Sequence, residues 1–371
     1  MNIYTIALAI KILLAISIAA DLAAVLKRSL MMLQLNSYRN ERFTRWFNQS
    51  GESTTPWRLA VCIALFLTLV HHLPGVFTQA AAAIIVICNF VSLIRRRYKK
   101  PLVFTPRAKR LYAVMLGLAL IIPAIAGLIT GNLATACKIG LAEIVLSPLF
   151  TLTANILPRP VEKSINRRYY NEAASILRSM PDLKVIGITG SYGKTSTKHY
   201  LHHILSQEFE TLMTPGSYNT TMGVILTIRE MMRPYTQIFI AEMGAKQPGD
   251  IKEICDLVNP EIGIITAVGE QHLETFGSVE NVCRTKFELA DSLPADGLAV
   301  INDGFTAARE RNVDNVKCQR YYAGNDNITA EKSDYRVSEV TYSPDGTRFT
   351  VDGPEGYRKE FKTPLMGECN I

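Results

Sequence analysis

The chain has 371 residues, 48% of them hydrophobic, with a formal net charge of +7 and seven cysteines. Its basic residues cluster between apolar runs, as in Arg95-Arg96-Arg97-Tyr98-Lys99-Lys100 and Arg107-Ala108-Lys109-Arg110. Charge placed there sets membrane orientation, so the excess argues against a nucleic-acid partner. The cysteines are scattered with no C-x-x-C pair, and imply neither a disulfide framework nor a cysteine zinc site.

Composition divides the chain. Residues 1–157 are rich in long apolar runs and read as a transmembrane domain. Five segments, near Ile3–Val25, Leu59–Val76, Ala80–Ile94, Leu111–Ile129 and Leu133–Leu157, approach the roughly 20 residues that a spanning helix needs. The second and third are short, and are expected to form a tight hairpin around His72-Leu73-Pro74-Gly75. The loops alternate in charge. Lys27 to Arg45 carries five basic residues, His71 to Thr78 carries no Lys or Arg, and Arg95 to Arg110 is strongly basic. Thr130 to Leu133 is uncharged, and the stretch after Leu157 is basic again. The positive-inside rule then puts the N-terminus outside and the second half of the chain in the cytoplasm. Lys11, Asp21 and Glu143 fall inside the apolar segments, where ionisable groups mark either interhelical pairing or a site.

Residues 158–182 form an amphipathic helical linker, with Ile165, Tyr169, Ala173, Ile176 and Leu177 at helical spacing. From 183 to 371, short apolar runs alternate with helical stretches. Strands are expected at Val185–Thr189, Gln237–Glu242, Ile262–Ala267 and Leu298–Asn302. Helices are expected at Lys194–Ser206, Gly223–Met232, Gly249–Leu257 and Val279–Ser292. Continuous apolar strands separated by helices indicate an α/β domain with a mainly parallel sheet. From Val337 the pattern becomes a β-hairpin turning at Ser343-Pro344-Asp345-Gly346.

The stretch "KVIGITGSYGKTSTKHYL" reads as strand, glycine-rich turn and helix. Backbone N–H groups of Gly190, Ser191, Tyr192, Gly193, Lys194, Thr195 and Ser196 would close around phosphate oxygens at a helix N-terminus. Lys194 would reach the terminal phosphates and the Thr195 hydroxyl would bind Mg²⁺. The spacing G-x-x-x-x-G-K-[ST] is not met, because Ile188 stands at the first glycine position. The alternative is an ordinary glycine-rich strand–helix turn. Glu242 ends another strand, at the edge where a parallel sheet binds ligands, and is placed to complete Mg²⁺ coordination. His272 after a third strand and Lys286 on the next helix are equally compatible with a structural role and an exposed helix face.

Taken together, "ITGSYGKTST", "SYNTTMGV", "AEMGAKQPGDI", "GEQHLETFGS" and "RTKFEL" resemble, in this order, the motifs of Mur ligases, with Glu242-Met-Gly similar to the MurF type. The resemblance covers about Lys184 to Ile371, half of the chain. It implies a P-loop central ATP-binding domain and an ATP-dependent amide-forming ligase of peptidoglycan synthesis. ATP would phosphorylate a carboxylate of a UDP-MurNAc-tripeptide-like acceptor, and D-Ala-D-Ala would attack the acyl phosphate; a lipid-linked muropeptide acceptor or another amine is the alternative. It implies ATP-loop roles for Lys194 and Thr195, a Mg²⁺ acid in Glu242, a ligand of a second Mg²⁺ in His272, and a lysine that becomes carbamylated in Lys286. It further implies acceptor contacts at Asn219 and Thr220, where many relatives have a second Asn at the latter, and an adenine contact at Asn302.

Two departures accompany the resemblance. Family members of this type begin with a domain that grips a UDP-sugar, whereas here that region is apolar. The membrane half is therefore expected to bring the ligase to lipid-linked precursors, or to act as a plain anchor. The closing "PLMGECNI" puts Cys369 where the family pattern has His, and a further domain normally follows. The expectation is a truncated sequence that does not complete ligation alone. A ligase with another acceptor or amine, and a non-catalytic membrane-tethered nucleotide-binding scaffold, are the alternative readings.

Overall fold

The computed structural model describes residues 3–70, 75–270, 276–323 and 333–365. The chain separates into two compact units, Met1–Ser164 and Ile165–Ile371. The hairpin expected around His72 lies outside the described residues.

The first unit is helical: α1 (Ile3–Leu35), α2 (Asn40–Gln49), α3 (Pro56–Leu69), α4 (Gly75–Arg95), α5 (Pro106–Thr130), α6 (Leu133–Val145) and α7 (Ser147–Ile156). Along α1, Leu14, Ile18, Leu22, Leu26 and Leu30 recur every fourth residue and share a core with Val86, Leu111, Met115 and Leu141. That spacing keeps one helix face turned inward. Many large apolar side chains on the other faces, such as Leu13, Ile16, Ile84, Ile121 and Ile125, are exposed.

Among the described residues, not all of the five expected spans appear as helices long enough to cross a bilayer. Three helices, α1, α4 and α5, are long and apolar enough to cross a bilayer. Helix α3 has 14 residues, about 21 Å of rise, against a hydrocarbon core about 30 Å thick. The fifth segment is broken: α6 and α7 meet at a bend of 78°. Pro148, at the second position of α7, has no N–H to give to the α6 ladder, and the break falls beside it. Taken as one bent span, the pair brings the total to four.

The three basic stretches gather at one end of this unit. Lys27 sits over the Phe104 ring at 5.8 Å, and Arg107 over the Tyr38 ring at 4.3 Å. Gln34 Nε2 donates to Val103 O at 2.8 Å, Arg96 pairs with Glu52 at 3.8 Å, and Arg110 pairs with Glu162 at 2.8 Å.

Helix α8 (Arg159–Arg178) continues into the second unit, where Ala173 is buried in the core. The second unit is built on a nine-stranded sheet of order β2-β3-β1-β4-β5-β6-β7-β8-β9. The strands are β1 (Lys184–Thr189), β2 (Thr211–Met213), β3 (Ile238–Glu242), β4 (Ile262–Ile265), β5 (Leu298–Asn302), β6 (Lys317–Tyr322), β7 (Tyr335–Ser343), β8 (Gly346–Asp352) and β9 (Arg358–Thr363). From β2 through β7 all pairings are parallel, and β7–β8 and β8–β9 are antiparallel. The helices are α9 (Lys194–Leu205), α10 (Thr221–Met231), α11 (Asp250–Val258), α12 (Val279–Asp291) and α13 (Thr306–Arg309).

Alternation along the strands makes two layers of core. Val185, Phe239 and Ala241 pack with α10, α11 and α12, while Ile186, Ile188, Ile238 and Ile240 pack with Leu201 and Leu205 of α9. By the same period of two, Glu242 points to the α9 side. Gly187 is needed for close packing: a Cβ there would stand 2.7 Å from Leu289 Cδ1 and 2.9 Å from Met243 Cε.

Candidate active site

Among the described candidate residues, Thr195, Asn219 and Glu242 meet at the C-terminal edge of the parallel strands, with Lys194 beside them, while Asn302 makes no contact with this group. After β1 the chain turns through Gly190–Gly193 and enters α9 at Lys194. Gly190 has φ +153°, and a Cβ on it would lie 2.2 Å from Thr266 Oγ1 and 2.9 Å from Ala267 N. Only glycine lets the turn run this close to the β4 exit. Thr266 Oγ1 holds the turn by donating to Tyr192 O at 2.6 Å, and Ser191 N donates to Ala267 O at 2.7 Å. Ser191 Oγ donates to Gly269 O at 3.0 Å, and Tyr192 OH donates to Glu270 O at 2.8 Å. Ile188 is a fully buried strand residue paired with Glu242 and Ile264. The first-glycine position of the longer motif therefore belongs to the sheet, and the loop proper is Gly190 to Gly193.

Lys194 folds back over this turn, donating to Gly190 O at 2.6 Å and Ser191 O at 3.3 Å. Burial lowers its pKa, opposed by the charge of Glu242. Thr195 Oγ1 donates to Glu242 Oε2 at 3.0 Å. The same oxygen accepts from Lys198 Nζ at 2.9 Å, and Oε1 accepts from Asn219 Nδ2 at 3.0 Å. Glu242 is 1% exposed and Lys198 is 0% exposed. Burial pushes the Glu242 carboxyl up, but the hydrogen bonds from Lys198, Asn219 and Thr195 and the charge of Lys198 win and hold it below the ordinary carboxylate range.

Lys198 was not anticipated. The available signal is its place in "GKTSTK": it shares the inward face of α9 with Leu201 and Leu205, and a lysine on such a face requires an acid. Its ammonium also donates to Gly216 O at 2.7 Å, which ties α9 to the segment leading into Asn219. Gly244 N donates to Asn219 O at 2.6 Å, so Asn219 is fixed through both backbone and side chain. Thr220 caps α10, its Oγ1 accepting from Gly223 N at 3.3 Å, a task open to either Thr or Asn.

Lys286 on α12 is 1% exposed. Burial, reinforced by the like charge of Lys194, lowers its pKa to about 8. Asn302 ends β5, where its Oδ1 accepts from Gly304 N at 2.8 Å. Ser196 lies exposed in the first turn of α9. His272 and Cys369 lie outside the described residues. A larger cavity, about 790 Å³, opens at the opposite edge of the sheet among Leu183, Met232, Tyr235 and Ile238 and holds none of the site residues.

Among the described residues no group of three or more His, Cys, Asp or Glu side chains gathers. The Thr195 hydroxyl beside the Glu242 carboxylate is nevertheless a hard-oxygen pair of the kind that suits Mg²⁺, which keeps several waters and takes phosphate oxygens as further ligands. The donor set therefore fits the ion, with Lys198 already supplying one positive charge to the acid.

A strand, a tight glycine turn, a lysine–threonine pair at a helix N-terminus and a strand-end acid define a phosphate-loop α/β domain. Comparison with known proteins assigns it further. Residues 188–371 match the family model of the Mur ligase middle domain, and this part of the chain is a Mur ligase middle domain of MurF-like sequence. Over 190 residues it is 34% identical to a UDP-N-acetylmuramoyl-tripeptide–D-alanyl-D-alanine ligase of Bacillus subtilis, covering 51% of this chain and 38% of that protein. Over 216 residues it is 32% identical to the enzyme of the same name from Escherichia coli, covering 58% and 46%. The chain thus spans less than half the length of these relatives. A MurF crystal structure from Acinetobacter baumannii aligns with TM-score 0.48 and 28% identity over 55% of this chain and 44% of that one. A Thermotoga maritima MurF ligase in complex with ADP aligns with TM-score 0.48 and 25% identity, covering 53% and 44%.

Replacing Lys198 with Met strands the Glu242 carboxylate in a buried setting. Lys198→Met is expected to lower the stability of the second unit by about 3–5 kcal/mol, read from denaturant unfolding. An unchanged midpoint would show that the pair carries no structural weight.

Proposed function

We propose that the chain is the membrane-anchored, nucleotide-binding part of an ATP-dependent amide ligase of peptidoglycan synthesis. The observation that carries this reading is the Thr195–Glu242 contact beside the Gly190–Gly193 turn, within a Mur ligase middle domain.

In this reading the N–H groups at the start of α9 receive the β- and γ-phosphates of ATP. Lys194 leaves its two loop carbonyls and pairs with the terminal phosphates. Thr195 and Glu242 would hold Mg²⁺, and Lys286 and His272 a second ion. Bound there, the ions would neutralise charge that builds on the phosphates during transfer. Asn219, and Thr220 at the head of α10, face the acceptor, and Asn302 the adenine. An acceptor carboxylate oxygen attacks the γ-phosphorus, and the bond to ADP breaks. The amine of D-Ala-D-Ala then adds to the acyl phosphate and loses a proton, and phosphate departs with the C–O bonding pair. Burial lowers the pKa of the Lys286 amine, which raises the share of the neutral form that reacts with CO₂, and the product is an anion suited to a metal.

The apolar helices bring a lipid-linked muropeptide into consideration as the acceptor beside a UDP-linked one. The basic end of the helical unit faces the cytoplasm, as the positive-inside rule requires. In this reading α1, whose C-terminal turns reach that end, has its N-terminus outside.

The decisive assay is acceptor-dependent ADP formation with UDP-linked and lipid-linked muropeptides in parallel. We expect acceptor-dependent ADP formation with at least one, without release of ligated product, and a loss of about 100-fold or more in Lys194→Ala, which removes a cation from the phosphates. No ADP with either acceptor, or an unaffected variant, would refute the ligase reading. Protein supplied with ¹³C-bicarbonate should show a carbamate carbon resonance that disappears in Lys286→Ala. A spectrum without that resonance would remove the modification from the scheme.

A further inference from the structure

A second polar site lies in the helical unit, far in sequence from the nucleotide loop. A cavity of about 60 Å³ is lined by Arg28 of α1, Trp46 and Phe47 of α2, Glu52, Arg58 of α3, Asn89 of α4 and Ser147 at the α6–α7 break, with apolar neighbours. Arg28 is paired with Glu52. One Arg58 nitrogen donates to Val145 O, and the guanidinium lies over the Phe47 ring at 5.0 Å. Asn89 spends its amide N–H groups on Asp21, at 2.8 and 3.0 Å.

Among the described residues, two buried lining groups find no partner: Arg28 Nε and the Ser147 hydroxyl, the latter on a residue 1% exposed. Buried polar groups are rarely left unpaired, and both of these can donate. A cavity with an orphaned guanidinium N–H and an orphaned hydroxyl able to donate, which carries two guanidiniums against one carboxylate, and which meets the start of α7, favours an anion over a cation. Its volume admits about two waters' worth of matter, room for one tetrahedral group rather than a sugar.

Depth identifies the carrier. The cavity opens among groups of the basic end: Arg96 reaches the same Glu52 at 3.8 Å, and Arg28 lies over the Tyr98 ring at 6.0 Å. Helix α2 carries the Trp46 and Phe47 rings that flank it, aromatic residues of the kind that settle at the headgroup level. We propose that this cavity is a binding site for the phosphate group of a membrane lipid, held by Arg28, Arg58 and Ser147. The proposal rests on the membrane placement of the helical unit and is independent of the ligase chemistry.

The test uses the chain in a maltoside detergent, which contributes no phosphate, with Trp57→Phe so that Trp46 is the remaining tryptophan. Dioleoyl phosphatidic acid, dioleoylglycerol and inorganic phosphate are titrated separately, reading Trp46 emission and the bound stoichiometry by native mass spectrometry. One phosphatidic acid per chain with a saturating signal is expected, weakened about tenfold in Arg58→Gln, as for loss of a charge-assisted hydrogen bond. Ser147→Ala, which leaves every ion pair in place, is expected to weaken it as well. Equal binding of dioleoylglycerol, a signal that does not saturate, or unchanged affinity in both variants overturns the proposal. Inorganic phosphate binding as tightly as the lipid would make this a soluble-anion site and overturns the lipid assignment. Extraction without detergent is scored separately: a chain soluble without it defeats the membrane placement, whatever its affinity for phosphate.

Discussion

At the end of β3 the Glu242 carboxylate, with almost no access to water, accepts from Thr195, Lys198 and Asn219 at 2.9–3.0 Å. These donors come from the phosphate-loop helix and from the segment before α10. One acid thereby joins the two regions that, in the ligase reading, hold nucleotide and acceptor. A buried carboxylate is costly unless its oxygens are satisfied and its charge is met, and Lys198 meets it from the adjacent turn of α9. The arrangement fixes Thr195 toward the strand-end acid, the kind of fixed geometry that phosphate chemistry uses.

The rest of the second unit serves that geometry. The alternation of β1 and β3 sends Ile186, Ile188, Ile238 and Ile240 toward α9, and the same parity delivers Glu242 to it. Gly190 lets the turn press against Thr266 and Ala267, so the loop is braced by the β4 exit. Gly187 admits Leu289 and Met243 on the opposite face, drawing α12 and its Lys286 close to the sheet.

Much of this was legible in the sequence, for reasons that differ by element. The β1–loop–α9 unit and the Glu242 strand end announce themselves, because glycine spacing and apolar runs are local signals. The parallel sheet follows from the alternation of runs and helices. Lys198 is hidden, because a lysine on a helix looks solvated until its face is known to be the one carrying Leu201 and Leu205. Strand β2 has three residues, too few for a pattern, and β6, "KCQRYY", carries polar residues that mask a strand. The helical unit shows the opposite failure. Hydropathy marked five segments, but it is blind to the break beside Pro148 and to the shortness of α3. Charge in the loops, by contrast, matches the gathering of the three basic stretches at one end.

Calorimetric titration of the chain with a non-hydrolysable ATP analogue, with and without Mg²⁺, tests the central role of Glu242 most directly. The geometry predicts saturable binding to one site that strengthens about tenfold or more with Mg²⁺, and a Glu242→Gln variant in which that strengthening is lost. Binding that ignores Mg²⁺, or a variant that keeps the full Mg²⁺ effect, would contradict the account.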